Sequence, residues 1–168
     1  PVMTQTAKYV FRNGNASDLN RIKDLTLLAY MQFRNVFSPE NAEAWEANLG
    51  NENTYIELFK TAHCFVCEHE NRIAGSAFLI PHGNPFKWFE PDWAYIRLVA
   101  VHPDFEGNGI GKKLTQMCID SAKEMGENVI ALHTSEFQNA ARHIYEYLGF
   151  VKQKDLDLMY EKKYYLYT

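Results

Sequence analysis

Two periods of apolar residues alternate along this chain. Strand-like runs occupy 8–12, 63–68, 72–80, 92–101, 129–134, 150–159 and 163–167, and elsewhere apolar residues recur every three or four positions, as on one helix face. Asn15-Ala16-Ser17-Asp18 supplies cap chemistry for a first helix carrying Leu19, Ile22, Leu25, Leu28 and Ala29. Ser38-Pro39-Glu40 starts a second, with proline in its first turn and Trp45 and Leu49 following. A third covers 53–60. The longest spans 109–125, with Ile110, Leu114, Met117, Cys118, Ala122 and Met125 at helical spacing and Gly126 closing it, and a short one spans 139–148. The run at 63–68 turns through His69-Glu70-Asn71 into 72–80, an antiparallel hairpin that ends before Pro81. The sum is an α/β fold, with a mixed, mostly antiparallel central sheet of about seven strands flanked by helices on both faces.

Residues 81–91 break both periods. Their prolines and glycine forbid regular structure, yet Phe86, Trp88 and Phe89 are costly to leave in water, so the loop must pack against the rest of the protein.

Most of the chemistry lies in Val99-Ala100-Val101-His102-Pro103-Asp104-Phe105-Glu106-Gly107-Asn108-Gly109-Ile110-Gly111, which leads into Lys112-Lys113-Leu114. A strand feeding a glycine loop that becomes a helix N-terminus aims several unpaired backbone N–H groups at one point, where the helix dipole also favours negative charge. That is an anion seat, most naturally for phosphate. Spacing separates the phosphate-loop types. Gly107, Gly109 and Gly111 run G-x-G-x-G and not the G-x-G-x-x-G of dinucleotide folds. An ATP-binding P-loop is excluded because Lys113 follows Gly111-Lys112 and Glu106 stands where its first glycine belongs.

What remains closely resembles motif A of the GNAT superfamily of N-acyltransferases, [QR]-x-x-G-x-[GA] after a strand ending in V-H-P. One departure is Glu106, where the family usually has Arg or Gln; a carboxylate there weakens affinity for an anion, and Lys112 and Lys113 partly offset it. Downstream, Asn139-Ala140-Ala141-Arg142-His143-Ile144-Tyr145-Glu146-Tyr147-Leu148-Gly149-Phe150 is similar to the second family signature, with Asn one residue closer to Tyr145 than in many relatives. The two signatures cover residues 92–150, and the rest fits the family in element order only.

The resemblance implies a single acyltransferase domain over 1–168 that moves an acetyl group from acetyl-CoA to a primary amine of a small molecule, amino acid or peptide by direct attack. It implies that the backbone of Leu98, Val99, Ala100 and Val101 pairs with pantetheine and polarises the thioester carbonyl at a strand bulge. It places the pyrophosphate on Glu106, Gly107, Asn108, Gly109, Ile110, Gly111 and Lys112, and makes Asn139 a further coenzyme contact, with the alternative of a helix N-cap. Tyr145 takes the position of the acid that protonates the departing thiolate, with the alternative of a core tyrosine. Where some histone-modifying relatives carry a basic Glu, this chain has Tyr95. The candidates for a base are Glu90, Asp92, His133 and Glu136, and Tyr95, Arg97, Trp88 and His133 are candidates for the acceptor side, with Arg97 able to hold a carboxylate or to sit in a strand salt bridge. A CoA-binding sensor or interaction module that kept the fold without turnover is the alternative function.

Charge and cysteines narrow the context. In 168 residues the net charge is −4, which gives no electrostatic footprint for nucleic acid. An odd count of three cysteines and no signal-like start point to a reducing, cytoplasmic setting. Cys64 and Cys67 stand three apart on a predicted strand, hence on opposite faces, and read as core residues; no metal site is predicted. No run reaches the length of a membrane span, and a homodimer stays open as an assembly.

Overall fold

The computed structural model describes residues 8–168. Seven strands, β1 (Val10–Asn13), β2 (His63–His69), β3 (Arg72–Ile80), β4 (Ala94–Val101), β5 (Ile130–Ser135), β6 (Lys152–Asp155) and β7 (Tyr164–Tyr167), form one sheet in the order β1-β2-β3-β4-β5-β7-β6. The only parallel pair among the described residues is β4 with β5, as expected for a mostly antiparallel sheet. Five helices accompany it: α1 (Leu19–Met31), α2 (Pro39–Leu49), α3 (Glu52–Thr61), α4 (Ile110–Glu124) and α5 (Asn139–Tyr147).

Strand alternation sorts the core into two layers. On one face Phe65 and Cys67 of β2 pack with Ile110, Leu114 and Cys118 of α4 and Tyr145 of α5. On the other, Cys64 and Val66 pack with Ile22, Leu25 and Ala29 of α1 and Tyr55 and Leu58 of α3. The C-x-x-C pair is thus divided between the faces, all three cysteines are free and buried, and burial pushes the Cys64 thiol up to about 12.

Two elements depart from the sequence pattern. Leu28 is 47% exposed, because the buried stripe of α1 runs through Ile22, Leu25, Thr26 and Ala29, where the Thr26 hydroxyl donates to the Ile22 carbonyl. The run at 150–159 is a regular strand only over Lys152–Asp155; after Leu156, whose N–H still reaches the Tyr164 carbonyl, the chain leaves the ladder for a turn with Tyr160 and Glu161 at φ 53° and 65°. The aromatic loop, in contrast, packs as expected: Phe89 is 4% exposed and stacks on Tyr95 with ring centroids 4.6 Å apart.

A buried carboxylate clips the N-terminal elements together. Asp18 is 2% exposed and accepts two hydrogen bonds from Arg12 of β1, at 2.8 and 2.9 Å, and one from the Asn15 backbone at 3.0 Å, while Arg12 also reaches Glu68 of β2 at 2.7 Å. Hydrogen bonds from the Arg12 guanidinium hold the Asp18 carboxyl well below the usual carboxylate range. A folded-state value below the unfolded one stabilises fully above about pH 4, and that contribution is lost as pH falls through the folded value. Asp18→Asn should therefore cost about 3 kcal/mol at pH 7 and flatten the acid limb of stability, as read from urea unfolding at pH 7 and pH 3. Equal acid sensitivity in both proteins would remove Asp18 as its source.

Candidate functional site

β4 and β5 separate inside the sheet. They pair only at Ala94–Ile130 and Tyr95–Ala131. On its other edge β4 stays bonded to β3, but fits an extra residue between Arg97, opposite Phe78, and Ala100, opposite Ser76. Leu98 absorbs it in the left-handed region, φ 53°, the signature of a strand bulge. Beyond Tyr95 the edge of β4 is left without ladder partners toward β5, and two cavities lie along it.

The larger is a cleft of about 980 Å³ between the end of β4, the loop after it, α4 and α5. Val99, Ala100 and Val101 line it, followed by Glu106, Gly107, Gly109, Ile110, Gly111 and Lys112, and by Asn139 and Tyr145 from α5. Gly107 and Gly109 have φ 81° and 75°, and a Cβ on either meets no protein atom within 4 Å, so their backbone is bare toward the cleft. Gly109 caps α4 without a side chain, and Lys113 N–H donates to the Gly109 carbonyl at 3.0 Å. The amides ahead of it, in Ile110, Gly111 and Lys112, have no intrahelical acceptor. An uncapped N-terminus of a four-turn helix, opening on a cleft through bare glycines, fits a phosphate-bearing ligand.

The smaller cavity, about 320 Å³, lies between β4, β5, the aromatic loop, α1 to α3 and the turn after β6. Arg97, Leu98, Trp88 and His133 line it, with Lys87, Tyr55 and Tyr160. Tyr30, Val99, Gln138 and Tyr145 border both spaces, so the two meet where β4 bulges.

Side chains at that junction are held by few contacts. The Tyr30 hydroxyl donates to the Val99 carbonyl at 3.1 Å. The Gln138 side-chain oxygen accepts from the Ser135 hydroxyl at 2.7 Å, from the Ser135 amide at 3.2 Å and from the Thr134 hydroxyl at 3.3 Å. Tyr145 is 8% exposed, and burial holds its phenol well above the ordinary range, so it stays protonated at neutral pH. Burial, then the positive charges of Arg97 and Lys87, push the half-buried His133 imidazole down to about 3. It is neutral at pH 7, and its Nδ1 is buried without a hydrogen-bond partner among the described residues.

Other sequence candidates sit elsewhere. The Asn108 side chain turns back to donate to the carbonyls of Phe105 and Glu106, at 2.9 and 3.3 Å, and does not line the cleft. Leu98 faces the smaller cavity and not the larger, while Tyr95 lies outside both, its hydroxyl donating to the Asn84 carbonyl at 2.8 Å. Asn139 lines the cleft with its side-chain oxygen bonded by Arg142. Glu90 and Asp92 are exposed and outside the cavities, and Glu136 accepts from the Lys163 amide at 3.3 Å. Glu106 lines the cleft and accepts from the Gln32 side chain at 3.2 Å. Tyr30 and Gln138 escaped the sequence reading. Tyr30 sits in an ordinary amphipathic helix, and Gln138 lies one residue ahead of the second signature, so neither has a spacing of its own.

The Acetyltransferase (GNAT) family matches residues 24–150. The L-amino acid N-acyltransferase MnaT of Escherichia coli K12 is 40% identical over 53 residues, 32% of this chain and 31% of that protein. N-alpha-acetyltransferase 30 of Schizosaccharomyces pombe is 40% identical over 62 residues, 37% of this chain and 41% of that protein, so the chain spans less than half of these curated relatives. Among solved structures, PaiA N-acetyltransferase from Thermoplasma acidophilum, in complex with coenzyme A, superposes with a TM-score of 0.73 at 14% identity, over 95% of this chain and 98% of that one. With the family match extending over three quarters of the sequence and taking in the glycine loop, the bulged β4 and the Tyr145 helix together, the chain belongs to the GNAT acetyltransferase family.

Proposed function

We propose that this protein transfers an acetyl group from acetyl-CoA to a primary amine by direct attack, with the donor in the larger cleft and the acceptor in the smaller cavity. The observation that carries this reading is the meeting of the two cavities at Tyr145 and the β4 bulge. Family membership supports acetyl-CoA as donor, and the names of the two curated relatives span an amino acid and a protein N-terminus as acceptors.

Acetyl-CoA supplies the activated acetyl thioester. The open amides of Ile110, Gly111 and Lys112 hold its pyrophosphate, and the unpaired edge of β4 from Val99 to Val101 lines up the pantetheine arm and polarises the carbonyl. Holding donor and amine on either side of one bulge accounts for much of the acceleration, because orientation alone is worth roughly 7–11 kcal/mol in favourable cases. The amine nitrogen forms the new C–N bond as the C–S bond breaks. Tyr145 gives its proton to the departing sulfur, a task suited to a phenol that burial keeps protonated. The ammonium proton leaves to water, since a His133 held near 3 is too weak a base to keep it.

Thiol release from acetyl-CoA across a panel of amines tests this reading. Tight CoA binding with no release for any amine would make the protein the non-catalytic CoA-binding module instead. Glu106 gives a second check on the donor side. Its carboxylate lies in the cleft, so Glu106→Arg should tighten CoA binding, and the gain should shrink as salt is raised from low to high because exposed charges are screened. A loss of affinity on titration with CoA would give Glu106, through Gln32, a supporting role.

A further inference from the structure

We infer that the acceptor is a compact amino acid, its carboxylate bound by Arg97 and its apolar body packed against the rings of the smaller cavity. The acetyl-transfer reading enters only in assigning the amine to the reacting end.

Arg97 is a half-buried cation without an anion. No ion pair or hydrogen bond engages its guanidinium among the described residues; one face lies on the Phe86 ring, 4.2 Å from its centroid, and the titratable groups around it are the tyrosines Tyr95, Tyr30 and Tyr55 and the neutral His133. Taking a guanidinium from water without a counter-ion is costly, and its planar fork matches a carboxylate in two parallel hydrogen bonds. The strand salt bridge that the sequence left open does not form.

The surroundings choose among amines. No Asp or Glu lines this cavity, whereas both Arg97 and Lys87 do, so the site is locally positive in a chain whose net charge is −4. A polyamine or a lysine side chain would meet two cations and no counter-charge, but a zwitterion brings its own carboxylate. Space selects as well. At about 320 Å³ the cavity is near the lower end of ligand sites, roughly 300–1,000 Å³. Its rim is tied together where Asn48 of α2 hydrogen-bonds Tyr160 of the turn before β7, an arrangement that suits a compact ligand over a peptide. Trp88 and Tyr164 offer apolar walls, with the Trp88 ring 4.9 Å from that of His133.

The test pairs L-phenylalanine, L-leucine and L-methionine each with its primary amide and measures binding to the full chain in saturating CoA by calorimetry. At least one acid should bind about 10²-fold more tightly than its amide. Arg97→Gln should abolish that preference with CoA affinity retained, and Arg97→Lys should keep part of it, because a point charge replaces a two-point contact. Where thiol release occurs, the preference should appear in KM and leave kcat nearly level. The inference is overturned if no acid binds better than its amide, or if the preference survives Arg97→Gln in protein that still binds CoA. Selective acid binding without thiol release would keep Arg97 as the carboxylate site and remove acetyl transfer.

Discussion

Gly109→Val should weaken CoA binding by about 10²- to 10⁴-fold, the loss of two charge-assisted hydrogen bonds at roughly 1.5–3 kcal/mol each. Gly109 caps α4 at φ 75° and lines the larger cleft, so a branched side chain there occupies the space in which a phosphate would reach the open amides. The backbone conformation is itself unfavourable for valine, and a loss of folding must be told apart from a loss of the seat. Gly126 provides the control. It follows the same helix at its other end with φ 76°, a Cβ there also meets no atom within 4 Å, and it lines neither cavity. Gly126→Val carries the same backbone strain and should leave CoA affinity unchanged in calorimetry. Equal affinity in folded Gly109→Val would move the pyrophosphate away from this loop.

Tyr145→Phe should lower kcat by ~10²- to 10⁴-fold with CoA affinity nearly unchanged, the range typical of a missing acid. The substitution removes one hydroxyl and keeps the ring that packs against Phe150, 6.0 Å between centroids, and the rest of that core layer. Burial has a definite sign here. Desolvation raises the phenol, so Tyr145 stays protonated over the neutral range and contributes no pH dependence to kcat there. Wild-type kcat in the folded variant, with chemistry rate-limiting, would make Tyr145 a core residue and leave orientation and the β4 backbone as the source of rate.

Much of the fold and the donor cleft can be read from the chain because both rest on local codes. Strand and helix periods place the seven strands and five helices, since most elements bury a face whatever their partner, although β6 is exposed throughout. The glycine loop announces an anion seat because positive φ and an uncapped helix start are properties of a few consecutive residues. Leu28 and the run at 150–159 mark where a local code fails. A one-residue rotation of the buried stripe and a strand that leaves its ladder are decided by what packs opposite, and the residues freed by the second, Met159 and Tyr160, end as cavity wall.

The acceptor side belongs to tertiary structure. Nothing in the spacing of Tyr30, Arg97, His133 and Gln138 links them, as they lie on α1, β4, β5 and the turn before α5. What joins them is the parting of β4 from β5 after Tyr95, a long-range register fixed by which strands neighbour each other. The chain by itself determined the element order, the division of Cys64 and Cys67 between two faces, and the bare N-terminus of α4, because each follows from backbone periodicity or from a glycine's missing Cβ. Only the packed sheet decided that Tyr95 is a core residue, that Arg97 has no counter-ion and that His133 is neutral. Burial and partnership are properties of what surrounds a side chain, and residues distant in sequence supply those surroundings.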